Sequence, residues 1–502
     1  MRITKRIDKL PFSMSLLKTR RTSSICPECR RPVDARIFAR GDRVMIEKEC
    51  PAHGRFEDVY WSDLGAYRRV EDFAGDGDGL ENPRTGEHRG CPSDCGICPG
   101  HRSHTLLGII DVTNRCNLKC PVCFADAASA GSVYEPTREQ VRAMLANLRL
   151  NRPVPTPAVQ FSGGEPTLRE DLPELVRLAK TLGFLNVQVN TNGLKLSQSP
   201  DYCRTLKDAG MDTVYLQVDG LTPEVYRFTR GRDLVETKMK AIENCRRADM
   251  RSVVLVVTLV KGVNDHQLGD IIRFAAANFD VVRCINVQPL AFTGRVPNDE
   301  LKDRRLTIPD FMAGVERQTG GAIRTTDFYP VPSVLPVSQA AGLLTGERYP
   351  EFTAHPHCGM ATYFVPYKGT IRPINRTLDV EKILAALRAA VRTDSRGRKS
   401  LAKAQLLMSL RHVRGGWLKK YLRALLKKGS FEALQDLHFH LIMISAMHFM
   451  DAYNFDAERV RRCVIHYALP DGRIIPFCSY NNLGYRDEIE RAFGSSGLRR
   501  EV

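Results

Sequence analysis

No apolar run in this 502-residue chain reaches the eighteen or so residues that a membrane-crossing helix requires. The nearest stretch, Phe439 to Met450, is short and carries His440 and His448. A recognisable secretory leader is missing too. Met1 to Thr22 is basic, but its apolar part is short and broken by Pro11 and Ser13, so it reads as a tail that is disordered or touches a membrane surface. Acidic residues are outnumbered, 57 Asp and Glu against 74 Lys and Arg, which leaves a formal charge of +17. From Ser395 to Phe431 they vanish altogether, among eleven Lys or Arg. These deficits argue against a membrane-spanning protein and a disulfide-built secreted domain, and they call for an anionic partner. Nucleic acid and anionic lipid are the main options. The expected address is the cytoplasm, with peripheral contact at the inner face of the membrane.

What is present is an ordinary globular composition, 43% hydrophobic and 26% charged, in a chain long enough for more than one core. The unusual element is cysteine. Of fifteen, nine fall in tight clusters before residue 124. With no oxidising address, metal ligation is favoured over disulfides.

From Leu106 to about Gly294, short apolar runs alternate with helical patterns. The runs Leu107–Val112, Ala158–Phe161, Asn186–Asn190, Thr213–Val218, Ser252–Val260 and Arg283–Gln288 predict strands covered on both faces. Thr137 and Gln140 predict a capping box before the stripe Val141, Met144, Leu145 and Leu148. A second stripe, Leu172, Leu175, Val176, Ala179 and Leu182, stops at Gly183. Six β/α units fit a partial (β/α)6 barrel, an α/β fold whose chemistry sits at the carboxyl ends of its strands.

The first strand runs straight into Cys116-Asn-Leu-Lys-Cys120-Pro-Val-Cys123. Three thiolates on one loop hold three irons of a [4Fe-4S] cubane and leave the fourth open to a chelating ligand. A four-cysteine electron-transfer cluster and a zinc knuckle are the competing readings of the spacing alone. The second strand ends in Ser162-Gly163-Gly164-Glu165-Pro166, where two glycines allow close backbone approach and a carboxylate can meet an ammonium group. In that order the two loops closely resemble the radical S-adenosylmethionine (SAM) superfamily. The resemblance implies that Cys116, Cys120 and Cys123 carry the catalytic cluster, that Gly163 to Glu165 contact the methionine end of SAM, and that Ser162 belongs to the cofactor site. It also implies ligand contacts from Asn192, Gln217, Asp219 and Gln288, although Asn192 reads equally well as a turn residue before Gly193. Val122 departs from the aromatic residue common there, and Phe124 is expected to pack on adenine instead.

Two further cysteine groups precede the barrel. Cys26, Cys29, Cys50 and His53 predict a tetrahedral Cys3His site for mononuclear zinc or iron, in a zinc-ribbon or rubredoxin-like module; the competing reading leaves His53 a surface turn residue. Cys91, Cys95 and Cys98 repeat the C-x3-C-x2-C spacing without a preceding strand or a Gly-Gly-Glu-Pro turn, and predict an auxiliary cluster. Cys358, Cys463 and Cys478 are expected to complete that cluster or to build another. A second auxiliary cluster would need an open iron or a ligand such as His355 or His357. Cys203, Cys245 and Cys284 read as buried thiols.

The domain plan is therefore a basic tail (1–22), a ribbon module (23–66), an auxiliary iron–sulfur segment (86–104), the core barrel (105–297), and a C-terminal α+β cap with further cluster cysteines and basic amphipathic helices (298–502). Asn286 to Arg295, His355-Pro-His-Cys-Gly, Met447 to Asp456, Arg462 to Tyr467 and Ile475-Pro-Phe-Cys478 carry a narrower resemblance. It is to the archaeal tetraether lipid synthases and their bacterial relatives, a group that also includes proteins described as methyltransferases of a hydroxymethyl-dihydropterin. The first likeness implies carbon–carbon coupling of unactivated lipid chain ends, with one or two auxiliary clusters and a reductant of ferredoxin or flavodoxin type. The basic stretch fits it, since Trp417, Leu418, Tyr421, Leu422, Leu425 and Leu426 interleave with Lys419, Lys420, Arg423, Lys427 and Lys428 as in a helix on an anionic membrane. Lipid coupling is thus the leading expectation. Radical C-methylation of a small molecule such as the pterin is the alternative, and a non-catalytic, cluster-bearing basic protein that binds nucleic acid or membrane is the third. Nucleic acid ranks below lipid as a partner.

Overall fold

The computed structural model describes residues 19–127, 131–296, 301–367, 370–416, 418–419 and 439–495. The tail before residue 19, and Trp417 with residues 420–438 of the expected amphipathic stretch, lie outside the described residues. Among the described residues no helix is long and apolar enough to cross a membrane.

Four strands, β1 (Arg20–Ile25), β2 (Pro32–Arg40), β3 (Arg43–Cys50) and β4 (Gly54–Trp61), make an antiparallel meander. Val44 and Ile46 alternate inward along β3 and pack with Ile37, Tyr60 and Trp61, the one-face burial that fixes strand register.

The barrel strands follow: β5 (Leu107–Thr113), β6 (Ala158–Gly163), β7 (Asn186–Thr191), β8 (Thr213–Gln217), β9 (Val253–Leu259) and β10 (Val282–Pro289). They pair in parallel and in sequence order, each at the position its apolar run predicts. The helix Arg138–Arg149 opens on the expected capping box, with Gln140 N donating to Thr137 Oγ1 at 3.2 Å and Thr137 N to Gln140 Oε1 at 2.8 Å. It lies so close to β5 that a Cβ on Gly108 would stand 2.3 Å from Leu148.

The parallel array does not stop at six strands. Further strands are β11 (Tyr329–Pro330), β12 (Gly359–Tyr367), β13 (Thr370–Pro373), β14 (Ile442–Met447), β15 (Ile465–Ala468) and β16 (Ile474–Pro476). β14 pairs in parallel with β10, and β15 with β5, so the C-terminal cap extends both edges of the core. The six core strands stand as expected, and the cap adds one parallel strand at each edge. A short apolar run such as 442–447 has no period that tells strand from buried helix. In place it alternates: Ile442, Ile444 and Ala446 join the core, while Met443 and Met447 face the barrel interior. The hairpin expected between Cys463 and Cys478 is present as β15 and β16.

Buried ion pairs dock the ribbon on the cap. Asp456 accepts from Arg20 Nη2 at 2.7 Å, Thr22 Oγ1 at 2.6 Å and Tyr60 OH at 2.7 Å. Arg305 bridges Asp58 at 2.8 Å and Asp451 at 2.9 Å. Burial raises Asp456, but the charges of Arg20 and His355 and the hydrogen bonds of Arg20 and Thr22 outweigh it and hold the carboxyl well below its usual range. A depressed carboxyl contributes stability that is complete above its unfolded value of about 3.9 and is lost as pH falls through the folded value. Asp456→Asn is expected to cost about 3 kcal/mol and to remove that acid-limb dependence. Urea unfolding followed by the fluorescence of buried Trp61, at pH 7 and below pH 4, checks both.

Candidate active site

The loop that leaves β5 carries Cys116, Cys120 and Cys123, and the helix Pro223–Arg230 and the segment after β10 clamp it. Cys123 and Arg295 exchange backbone hydrogen bonds at 2.8 and 2.9 Å, and Val122 N donates to Thr229 O at 3.3 Å. Gly294, at φ +66°, allows this approach, since a Cβ there would lie 2.4 Å from the carbonyl oxygens of Cys123 and Phe124.

All three cysteines line a cavity of about 180 Å³ at the carboxyl ends of the strands. Gly163, Gly164, Glu165, Asn192, Gln217, Gln288 and Phe124 line it too. The glycine pair is obligatory. Gly163 sits at φ +126°, with the Thr113 carbonyl oxygen 2.1 Å from where a Cβ would stand, and at Gly164 the Arg115 carbonyl oxygen would be 2.2 Å away. Burial pushes the Cys116 thiol up to about 12; a backbone hydrogen bond from Leu118 opposes this, and Glu165, Cys120 and Cys123 add to it. Thiolates so placed need positive charge, which an iron cluster supplies, so the donor set fits one.

Glu165 lines the cavity and also has a structural task. Its Oε1 accepts from Thr167 N at 3.1 Å, Thr167 Oγ1 at 2.6 Å and Thr191 Oγ1 at 2.7 Å, and its Oε2 from Asn192 N at 2.7 Å. Most of the carboxylate therefore ties two loops together, with Oε2 retaining room for a further donor. Asn192 lines the cavity, and, as its turn reading expects, its Oδ1 accepts from Leu194 N at 2.9 Å. Asp219 is a correction. It is fully buried, off the cavity wall, and spent on Arg230 (2.6 and 2.9 Å), Thr229 (3.0 Å) and Thr258 N (3.1 Å).

Arg230, which sequence reasoning missed, reaches the cysteine loop by donating to Val122 O at 2.8 Å. It is the cation beside Cys120 and Cys123. No local motif marks it, because its partners are distant in the chain. Lys238 was also missed, yet a signal existed. It shares a stripe with Ala241, Ile242 and Cys245, the buried face of the helix Val235–Arg247. Its Nζ donates to Gln217 Oε1 at 3.1 Å and to Asn192 O, and burial holds it down to about 7 despite Asp219.

A second, larger cavity of about 800 Å³ adjoins the first and runs down the barrel. Phe124, Ser162, Gly163 and Gln288 line it, and the rest of its lining is of two kinds. Amides come from Gln160, Gln188, Asn190 and Asn286, and apolar side chains from Met443, Met447, Phe449 and Phe477. The amides are preset by their own contacts: Gln160 to Gln188 at 3.0 Å, Asn190 to Ser162 at 3.2 Å and Gln288 to Tyr215 OH at 3.2 Å. Cys284, read as a buried thiol, lines this cavity, whereas Cys203 and Cys245 are enclosed between helices.

In the ribbon, the ligand atoms of Cys26, Cys29, Cys50 and His53 all lie within 4.8 Å of one another. Cys29 and Cys50 Sγ are 3.9 Å apart, and His53 Nδ1 is 3.6 Å from Cys26 Sγ and 3.4 Å from Cys50 Sγ. A tetrahedron with ~2.3 Å metal–sulfur bonds has edges near these lengths, so the site fits a four-coordinate ion. His53 is thereby a member of the set, not a bystander.

Behind the barrel, Cys95 has Cys91, Cys98 and Cys463 as electrostatic neighbours, and Cys478 has Cys463 and Cys358. The six expected auxiliary cysteines thus converge from four segments. His357, named as a substitute ligand, stacks on Tyr67 at 4.0 Å, and its Nε2 lies 3.3 Å from the Tyr67 carbonyl oxygen.

A parallel barrel with a three-cysteine loop after its first strand and a Gly-Gly-Glu turn after its second defines a radical SAM enzyme. The Radical SAM superfamily matches residues 110–275, and the HMPTM N-terminal zinc ribbon domain matches residues 19–62. The chain is 48% identical over 486 residues to 7,8-dihydro-6-hydroxymethylpterin dimethyltransferase of Methanocaldococcus jannaschii, covering 94% of this chain and 95% of the relative. It belongs to that family of radical SAM proteins, whose cofactors are a [4Fe-4S] cluster and SAM. A shorter match, 30% over 188 residues, covers 37% of this chain and 59% of a probable GTP 3',8-cyclase of Methanothermobacter marburgensis. Among solved structures, the FeFe-hydrogenase maturase HydG from Carboxydothermus hydrogenoformans aligns with 15% identity and a TM-score of 0.34, over 44% of this chain and 52% of that one.

Two substitutions check the geometry. Cys50→Ser should remove one zinc or iron atom per chain by elemental analysis while the iron–sulfur absorbance persists. Gly163→Ala should weaken SAM binding at least tenfold in equilibrium dialysis of cluster-loaded protein, about 1.4 kcal/mol or more, because the new methyl group has no room beside Thr113.

Proposed function

We propose that this chain is a radical SAM transferase that alkylates carbon, and that its substrate is a dihydropterin-like heterocycle seated in the barrel. The observation that carries the reading is the 48% identity along nearly the whole of a relative named for that substrate. In this reading Cys116, Cys120 and Cys123 hold the cluster, and SAM lies along Gly163, Gly164 and Glu165 with Phe124 at its adenine. The chemistry these cofactors supply when bound is one-electron cleavage of SAM to a carbon radical.

The chain's own residues bind, orient and exclude water. The amides of Gln160, Gln188 and Asn190 offer donors and acceptors to the edge of an aminopyrimidinone ring, and Phe449 and Phe477, stacked at 4.0 Å, offer it a flat apolar wall. Arg230 keeps the cysteine loop and Asp219 in register. Cys91, Cys95, Cys98, Cys358, Cys463 and Cys478 hold one or two auxiliary clusters, and a ferredoxin- or flavodoxin-type protein delivers electrons.

One observation favours a second reading, coupling of lipid chain carbons. A cavity of about 800 Å³ exceeds what a bicyclic ring fills, and its far end reaches Leu185 and Phe352, which are 53% and 40% exposed. Leu401, Leu407 and Met408 are also exposed on the helix Lys399–Ser409, in the stretch without acids, and such a surface suits an anionic membrane.

Anaerobic, reduced protein incubated with SAM should release 5′-deoxyadenosine, and Cys116→Ala should abolish the release. With 7,8-dihydro-6-hydroxymethylpterin added, mass spectrometry should detect methylated pterin. Pterin left unchanged, with coupled chains formed in lipid vesicles, would replace the first reading by the second. Release unaffected by Cys116→Ala would refute both.

A further inference from the structure

Arg459 is 2% exposed and has an unusual set of neighbours for a buried guanidinium. Its Nε donates to Cys358 Sγ at 3.4 Å, and its Nη2 donates to the His448 carbonyl oxygen. Its Nη1 is buried without a hydrogen-bond partner, and the group lies 5.8 Å from the centre of the Tyr60 ring. The groups that most favour its charge are Cys358, Tyr60 and Cys478. Three other arginines drawn into the interior face carboxylates: Arg230 faces Asp219, Arg305 faces Asp451, and Arg486 faces Asp111. A buried cation whose neighbours are neutral thiols would be badly compensated. Once those thiols are thiolates on iron, the imbalance disappears.

The position adds meaning to the charge. Phe477 and Phe449 belong to the wall of the large cavity, Cys478 follows Phe477 in the chain, and Met450 N donates to Cys478 Sγ at 3.3 Å. The thiol group therefore stands directly behind the substrate wall. Cluster potentials respond to net charge and to hydrogen bonds on sulfur, and a cation that donates to a ligating sulfur stabilises the reduced form.

We infer that Arg459 is the counter-charge of an auxiliary iron–sulfur cluster held by Cys358, Cys463 and Cys478, and that it raises the reduction potential of that cluster. This rests on the reading above that these thiols hold a cluster. Arg459 touches no reacting atom in this scheme and is a positioning residue.

The test uses full-length protein reconstituted anaerobically with iron and sulfide, by iron analysis and redox titration followed by electron paramagnetic resonance. The combined Cys358→Ser, Cys463→Ser and Cys478→Ser protein should lose about four irons per chain. Unchanged iron would refute the cluster itself. Arg459→Gln should keep its iron and shift one cluster signal to lower potential, with the signal of the SAM-site cluster unmoved, and Arg459→Lys should recover most of the shift. Full iron with an unchanged potential would refute the role of Arg459 alone. If Arg459→Gln does not fold, wild-type protein labelled with ¹⁵N-arginine carries the test. A guanidinium nitrogen coupling to the reduced cluster that disappears in Arg459→Lys supports the inference, and its absence from the wild type overturns it.

Discussion

A thiolate or carboxylate taken out of water needs positive charge within a few ångströms or it stays protonated, and this chain takes many out of water. The cysteines of the β5 loop, of the ribbon and of the cap are largely buried, and so are Asp111, Asp219, Asp451 and Asp456. The carboxylates are answered by arginines, and each pair joins segments far apart in sequence: Asp111 with Arg486, Asp451 with Arg305, Asp456 with Arg20. Beside the thiols of the β5 loop and of the cap stand two protein cations, Arg230 and Arg459, and the ribbon set fits an ion. The ribbon, barrel and cap are thus held in one arrangement by the same demand that makes the metal sites.

Parallel topology explains why the chemistry gathers at one end. Each strand runs the same way, so the loops after β5, β6, β7 and β8 emerge together and bring Cys116, Gly163, Asn192 and Gln217 around one cavity. The glycines are the tightest point of that convergence. At Gly163 the backbone passes so near β5 that any side chain would collide with the Thr113 carbonyl. The residue types are fixed there by space as much as by ligand binding.

How much of this could be read beforehand follows the range of the interaction. Strands β5 to β10, the capping box at Thr137 and the three cysteine clusters are local patterns, and they fall where the chain predicts them. Asp219 misled because a carboxylate at a strand end looks the same whether it faces a ligand or an arginine eleven residues on. Strand β14 could not be assigned because a run of five apolar residues around Ser445 has no period that tells strand from helix. Arg459 was invisible because Cys358, its closest sulfur, lies about a hundred residues upstream. Lys238 was legible in principle, a lysine on an otherwise apolar stripe.

The substrate question turns on which part of the lining of the large cavity does the binding. Amides cost free energy when buried without partners, and those of Gln160, Gln188, Asn190 and Gln288 already satisfy part of their capacity with one another and with Ser162 and Tyr215. A saturated chain laid along them would leave the rest unpaired, whereas a ring with its own donors and acceptors would engage them. The apolar lining, Met443, Met447, Phe449 and Phe477, accepts either ligand, because thioethers and phenyl rings adapt to a flat ring or a flexible chain alike. The amides therefore discriminate and the apolar side chains do not, which adds a physical reason to the sequence identity that carries the heterocycle reading.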